Sequence, residues 1–186
     1  MQRHAGQVYD EWLVLRAQDA DREALAELVT RWHPRLVGYA LGLTGEEALA
    51  RDAVQAAWLA AGRGIGRLDD PARFPAWICR IVSNKCADAI RRASRERASA
   101  RALARDKPAG TSNPSALASD SEETARVRGA LARLGAAQRE LLSLHYGSGL
   151  GVHDLASMLG VPMGTIKSRL HAARNELRAI LERNMS

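Results

Sequence analysis

The stretch that decides the fold is VHDLASMLGVPMGTIKSRLH, residues 152–171. Ala156 is small, so a second helix can cross close to it, and Gly160 follows four residues later, where the chain must turn and positive φ is tolerated. A small core between two helices would be formed by four apolar residues, Leu155, Leu159, Val161 and Ile166. Small residue, glycine and apolar positions all fall in register, which predicts a helix-turn-helix.

The second helix of this motif carries polar and basic side chains on or near its exposed face, namely Thr165, Lys167, Ser168, Arg169 and His171. A helix of this width enters the major groove of DNA, where Lys and Arg bond guanine edges or phosphates. We therefore expect this helix to recognise duplex DNA. The alternative is a plain helical hairpin with a solvated basic face.

Outside this motif every long segment also has helical periodicity, and none of useful length alternates apolar and polar residues as a half-buried strand would. We expect Pro34 to bend or split the helix that contains it. Thr44 and Glu47 have the spacing of a capping box, which predicts a helix start after Thr44. Three glycines and a proline predict a loop over residues 62–71.

A Pro-, Gly- and Ser-rich stretch without large apolar residues, KPAGTSNPS at 107–115, predicts a linker. The expected fold is all-α: two small helical domains over residues 8–97 and 123–184, joined by a flexible linker over 98–122.

Charge supports a polyanionic partner only weakly, since the formal net charge is +6. Its distribution is more informative. Residues 123–186 carry nine basic and five acidic groups, and residues 80–101 carry seven basic and two acidic groups. Two separate basic zones are expected to contact one long ligand at two places.

The second basic zone lies on a helix that should begin near Pro75, with Arg80, Asn84, Asp88 and Arg91 together on one face. An amide that can bond a base edge, next to arginines that can hold phosphates, favours a single-strand DNA site near the 62–71 loop. An ordinary solvated helix face is the alternative.

These motifs resemble the extracytoplasmic-function (group 4) sigma factors of the sigma-70 family, which are initiation subunits of bacterial RNA polymerase. Residues 23–97 resemble region 2 through RDAVQ at 51–55 and FPAWICRIVSN at 74–84, followed by Asp88 and Arg91–Arg92. Residues 124–181 resemble region 4 through Gln138–Arg139 and GTIKSRLHAAR at 164–174.

The resemblance implies a non-enzymatic subunit that binds core RNA polymerase and directs promoter-specific initiation. Asp52 and Gln55 would dock on the β′ clamp helices, and region 4 would contact the β flap. Asn84 and the 62–74 loop would capture a flipped base of the −10 element, which costs a few kcal/mol of unpairing. Further −10 contacts would come from Arg80, Asp88, Arg91 and Arg92. The −35 element would be bound as duplex DNA by Thr165, Lys167, Ser168, Arg169 and His171. Family members often have an anti-sigma partner, so one is expected.

Three positions depart from the family pattern. Ala56 stands where an acidic residue is usual, which weakens or redirects one polymerase contact. Pro162 replaces the usual Ser or Thr cap of the recognition helix and supplies no side-chain cap. Ala172 stands where many members have a basic residue, so one phosphate contact is missing.

Other functions are disfavoured. The histidines and the two cysteines show no metal-ligand spacing, and no cofactor is expected. No phosphate loop, nucleophile elbow or paired acid motif indicates an enzyme. A stand-alone helix-turn-helix regulator would explain residues 124–181 but not residues 51–55 and 77–84.

With no signal peptide and no long apolar run, a cytoplasmic protein without membrane insertion is expected. Cys79 and Cys86 are expected to be buried free thiols, with a redox switch as the alternative.

Overall fold

The computed structural model describes residues 5–104 and 122–183, and within these ranges the regular secondary structure is all helical, without a strand. The helices of the described part are α1 (Ala5–Gln18), α2 (Arg22–Thr44), α3 (Glu47–Gly64), α4 (Phe74–Ala104), α5 (Glu122–Arg133), α6 (Ala136–Leu142), α7 (Val152–Leu159) and α8 (Met163–Arg183). Two 3₁₀ turns, Ile65–Arg67 and Pro71–Arg73, connect α3 to α4, and a π-helical segment, Ser143–Gly147, follows α6. The all-α prediction is confirmed.

The first four helices form a bundle around large apolar side chains. The rings of Trp32 and Phe74 pack in a T-shaped arrangement, with ring centroids 5.5 Å apart and an interplanar angle of 84°. The indole N–H of Trp32 donates to the buried Asp10 carboxylate at 3.1 Å, and Arg31 Nε donates to the same carboxylate at 2.7 Å. The buried acid is therefore paired, as a charge removed from water must be.

Helix α2 continues through Pro34, so the helix is not split there, and the expected bend stays a prediction. A proline inside a helix removes one backbone hydrogen bond and costs about 3 kcal/mol. Leu28, Trp32 and Leu36 on the inner face are fully or almost fully buried, each contributing roughly 1.5–3 kcal/mol. Burial on either side of Pro34, whose own ring is exposed, outweighs the local penalty.

The capping box predicted at Thr44 and Glu47 is also absent. Helix α2 reaches Thr44 and ends at Gly45, whose φ of 71° is left-handed and whose N–H donates to Leu41 O. Thr44 Oγ1 donates back to Ala40 O at 2.9 Å, and Glu47 pairs with Arg51 instead of the helix start. The residues at this junction therefore terminate α2 and do not cap α3.

Helices α5 to α8 form the second unit, with Leu155, Ile166 and Leu170 in its helix-turn-helix core. Val161 packs against this core, but Leu159 is 43% exposed, so its predicted place in the core is wrong. Helix α4 continues to Ala104, beyond the predicted domain end at residue 97. Most of the predicted 98–122 linker lies outside the described residues, and the predicted domain limits remain predictions. Across 5–104 and 122–183, no helix combines the length and apolarity that a membrane span requires.

Candidate nucleic-acid and polymerase interface

The predicted turn between α7 and α8 is present. Gly160 has φ 65°, and its N–H donates to Ala156 O to close α7. Pro162 stands just before α8, and its carbonyl accepts from the N–H groups of Thr165 at 2.9 Å and Ile166 at 3.2 Å. Pro162 therefore occupies the cap position without a side-chain cap. Ala156 is buried where the two helices cross, which lets α8 lie close against α7.

The outer face of α8 presents cations to solvent. Lys167, Arg169 and His171 are exposed, as is Ser168, whereas Thr165 is half-buried. Ser168 Oγ donates to Thr165 O at 3.0 Å, and the His171 ring lies 3.1 Å from the Asn175 amide nitrogen. Within residues 5–104 and 122–183, neither Lys167 nor Arg169 forms an ion pair.

The charge on this half of α8 is one-sided. No carboxylate occurs between Met163 and Asn175. The first acid of the helix, Glu176, accepts a hydrogen bond from Gln138 Nε2 at 2.5 Å, so it is held on the α6 side. An uncompensated positive face on an exposed helix is a surface suited to a polyanion.

Helix α4 presents a second polar row, in which Arg80, Asn84, Asp88 and Arg91 are all exposed at successive helical turns. Arg91 Nη2 lies 2.5 Å from Asp88 Oδ1, so these two charges partly neutralise each other. Arg80 has no ion pair with any described residue and keeps its full charge for a ligand.

Arg92 points elsewhere. It lines a cleft of about 780 Å³ between α3 and α4, together with Asp52, Gln55, Leu59 and Asp88. The cleft thus combines both residues predicted to bind polymerase with two of the residues predicted to bind the −10 element. Leu59 is 62% exposed there, the largest exposure among the large apolar side chains of the described residues.

The segment between α3 and α4 is held by a residue that the sequence did not single out. Gln18, at the end of α1, donates through Nε2 to Ile65 O at 3.1 Å and Leu68 O at 2.7 Å. Asp70 caps the second 3₁₀ turn by accepting from Ala72 N at 3.0 Å. Trp77 lies against the same segment, since a Cβ on Gly64 would be 3.2 Å from its ring.

Two family models match the two units in order. Residues 28–96 match sigma-70 region 2, and residues 124–177 match sigma-70 region 4. The chain is 36% identical to the extracytoplasmic-function sigma factor SigM of Mycobacterium tuberculosis, over 87% of this chain and 79% of that one. The chain belongs to the extracytoplasmic-function sigma factors of the sigma-70 family.

The sigma factor is also 32% identical to SigE of Mycolicibacterium smegmatis over 86% of its own length, but it spans only 62% of that longer relative. Two solved structures share its fold. CnrH, solved with the cytosolic domain of CnrY, matches with a TM-score of 0.68 and 28% identity, covering 94% of this chain and 97% of that chain. RpoE of Bartonella quintana, solved with the anti-sigma factor NepR, matches with a TM-score of 0.60 and 27% identity, covering 87% and 98%.

The family assignment decides between the sequence-based alternatives. A stand-alone helix-turn-helix regulator would not explain the region 2 match at residues 28–96. Residues 6–99 and 122–183 of the sigma factor contain no group of three side chains that could hold a metal ion.

The two thiols of the sigma factor are buried and free, as predicted. Burial raises the pKa of Cys79 to about 12, and the nearby Glu140 carboxylate adds to the shift. Burial raises the pKa of Cys86 to about 12 as well. Since the thiolate is the reactive form, a raised pKa and burial both disfavour a redox switch in the folded chain.

Proposed function

We propose that this sigma factor binds core RNA polymerase and directs initiation by recognising the −35 element as duplex DNA with α8. The observation that carries this proposal is the exposed, carboxylate-free half of α8, on which Lys167 and Arg169 have no ion-pair partner among the described residues. Arg bonds guanine O6 and N7 in the major groove, and Lys bonds guanine or phosphate. Ser168 and His171 contact the DNA beside them, and half-buried Thr165 positions the helix on the sugar-phosphate backbone of the DNA.

The −10 element is bound, in this proposal, as a single strand on α4. Asn84 hydrogen-bonds an unstacked base, and Arg80 holds an adjacent phosphate. Arg91 and Asp88 form a pair at the rim of this surface, where a phosphate can replace the carboxylate as the partner of Arg91. The 65–73 segment, which Gln18 holds by two hydrogen bonds, is proposed to supply the other side of the base pocket.

Polymerase is proposed to bind at the cleft between α3 and α4. Its exposed Leu59 offers an apolar anchor, and Asp52, Gln55 and Arg92 surround it with polar groups. An apolar centre with a polar rim is the usual composition of a protein interface. We assign this cleft to the β′ clamp helices. Region 4 is proposed to contact the β flap separately.

An anti-sigma partner is proposed for the same surfaces. CnrH and RpoE were each solved with another protein bound, which in RpoE is the anti-sigma factor NepR. A helix placed in the α3–α4 cleft would exclude the polymerase, which would be enough to inhibit initiation. The proposed role requires no catalysis and no cofactor, and it places the chain in the cytoplasm with the polymerase.

The assignment of the cleft is tested with Leu59→Asp, which places a charge at its apolar centre. We expect this variant to lose at least tenfold in affinity for core polymerase, measured by fluorescence anisotropy of the labelled chain, because an apolar contact is replaced by a desolvated carboxylate. Leu15→Asp is the matched control, since Leu15 is 51% exposed on α1, away from the cleft.

Both variants should bind an isolated −35 duplex as well as the unmodified chain does. If Leu59→Asp and Leu15→Asp bind polymerase equally well, the cleft is not the polymerase site. Loss of duplex binding in Leu59→Asp alone would mean that the substitution unfolds the chain, and Leu59→Gln would then replace it as the uncharged test.

A further inference from the structure

An exposed tyrosine beside the recognition helix has no role in the proposed function. Tyr146 lies on the π-helical segment after α6 and is 61% exposed. Its hydroxyl oxygen accepts a hydrogen bond from Arg174 Nη1 of α8 at 3.5 Å. Tyrosine is common at binding surfaces because it joins a rigid ring to a hydroxyl that forms hydrogen bonds. Tyr146 and Arg174 are therefore candidates for a ligand contact on one side of α8.

The Tyr146 ring is held in place by its neighbours. The His145 ring packs against it with ring centroids 4.7 Å apart and an interplanar angle of 68°. His145 is itself fixed, because its Nδ1 lies 2.8 Å from Leu150 O, and a carbonyl oxygen can only accept the hydrogen bond. Leu144, on the same segment, is 1% exposed and anchors the segment in the core. A side chain fixed in this way loses little conformational entropy when a ligand binds.

Both side chains keep hydrogen-bond donors for a ligand. Arg174 Nε donates to Leu170 O at 3.2 Å and Nη1 donates to Tyr146, which leaves Nη2 without a partner within residues 5–104 and 122–183. The Tyr146 hydroxyl accepts from Arg174, and its own proton has no acceptor in the described part of the chain. A guanidinium beside a phenolic O–H suits an oxyanion, because phosphate oxygens accept from both groups.

The charge around this pair also favours an anion. No carboxylate occurs in residues 141–153 or 163–175, which contain the π-helical segment and the first half of α8. Arg174 forms no ion pair with a described residue. The other side of α8 differs, since Glu176 lies there, two residues from Arg174, and is held by Gln138. A DNA backbone is therefore attracted to the side of α8 that faces Tyr146.

The position of Arg174 along α8 matches the edge of a major groove. Arg174 lies about 10 Å from Lys167 along the helix axis and only about 20° around it, so the two residues share one side. The major groove is about 12 Å wide. When Lys167 contacts bases inside the groove, Arg174 is at the rim, where the phosphates lie. Arg178 is about 6 Å farther along α8 and lies beyond the rim.

We propose that Tyr146 and Arg174 form a phosphate clamp, which binds one backbone phosphate of the DNA that α8 recognises. This inference rests on the proposed function and deepens it, because it adds a positioning contact beside the residues that read bases. Phosphate contacts fix the register and orientation of a protein on the duplex but carry no sequence information directly. The clamp takes one donor group from α8 and one from the π-helical segment, so two elements hold the DNA in a single orientation.

The test measures how salt weakens DNA binding by the full chain assembled with core RNA polymerase. The probe is a short duplex that this complex selects from a random-sequence library, and core polymerase alone gives the background. Each neutralised phosphate contributes about 0.9 to the slope of log affinity against log salt concentration. Arg174→Ala should lower the slope by about one and weaken binding about tenfold at low salt, whereas Arg174→Lys, which keeps the charge, should retain the slope.

Two further variants separate charge from hydrogen bonding. Tyr146→Phe removes a neutral donor, so binding should weaken about fivefold with an unchanged slope. Arg178→Ala is the matched control on the same helix and should change neither the affinity nor the slope. Every variant should select the same base sequence as the unmodified chain, because a phosphate contact does not read bases. Tyr146 and Arg174 are exposed, so circular dichroism should show native helicity throughout.

The clamp is overturned if Arg174→Ala keeps the slope of the unmodified chain or loses no more than Arg178→Ala. A changed base sequence in the duplexes that Arg174→Ala selects would overturn it too, since Arg174 would then contact a base. Tyr146→Phe with unchanged affinity would exclude the hydroxyl and leave no clamp. Failure of the proposed function has a different result, because the unmodified complex would then select no common sequence at all.

Discussion

Replacing Gln18 with alanine tests whether α1 positions the −10 pocket. The substitution removes two hydrogen bonds, to Ile65 O at 3.1 Å and to Leu68 O at 2.7 Å. At roughly 1 kcal/mol net for each bond, the segment between α3 and α4 loses about 2 kcal/mol of local stability. A change of 1.4 kcal/mol is tenfold in an equilibrium constant, so the ordered conformation becomes about 30-fold less favoured.

Two assays separate this local effect from a global one. Amide hydrogen exchange at Leu68 and Arg73, whose N–H groups donate within the two 3₁₀ turns, should accelerate by up to about 30-fold. Binding to a −10 single strand should weaken 10- to 30-fold, in the same direction as Asn84→Ala, while binding to a −35 duplex stays unchanged. Gln7→Ala is the control, because Gln7 lies on the same helix and forms no hydrogen bond with a described residue. Unchanged exchange at Leu68, or equal losses for both DNA elements, would refute the role of Gln18.

Two further outcomes follow from the recognition helix and the buried thiols. Arg169→Ala should weaken binding to a −35 duplex by about 1–3 kcal/mol in an anisotropy titration. Arg178→Ala, farther along α8, is the control and should have little effect. If both variants lose the same amount of binding free energy, Arg169 does not contact a base. Burial raises the pKa of Cys79 and Cys86 from 9.0 to about 12. Between these two pH values the folded chain keeps thiol protons that the unfolded chain releases. The free energy of unfolding should therefore be unaffected by the thiols below about pH 9 and should fall as the pH rises toward 12. Urea titrations should show this decline, and a Cys79→Ala, Cys86→Ala double variant should show less of it; identical pH profiles would contradict the assignment.

The helix-turn-helix could be predicted from sequence because its determinants are local. Gly160, Ala156 and the flanking apolar positions lie within one short stretch, and their spacing alone requires a turn between two crossing helices. The exposed row on α4 was predictable for the same reason, since helical periodicity fixes which residues share a face. The DNA and polymerase contacts assigned to these residues remain predictions.

Errors occurred where tertiary packing overrides local preference. Pro34 is a local helix breaker, but burial of Trp32 and Leu36 on the inner face keeps α2 continuous. Gly45 decided the junction at Thr44, because its left-handed conformation terminates α2 before a capping box can form. The spacing of residues along the sequence alone does not predict the continuity of α2 through Pro34 or its end at Gly45.

The missed residues act over long sequence separations. Gln18 bonds to carbonyls 47 and 50 residues away, and Tyr39 bonds to Glu140 across 101 residues. No periodicity links such pairs. Gly38 and Gly42 lie four residues apart on α2, but their close approach to Gly147 and Ser143 depends on the other half of the chain.

The most direct test of the account is run-off transcription with core RNA polymerase and the purified chain on a library of genomic fragments. The account predicts that the chain co-elutes with core polymerase. It also predicts that transcripts start at a small set of sites that share two upstream motifs, and that core polymerase alone does not initiate at these sites. Arg169→Ala should lower initiation at those sites. Failure to associate with polymerase, or transcripts whose start sites share no sequence, would contradict it.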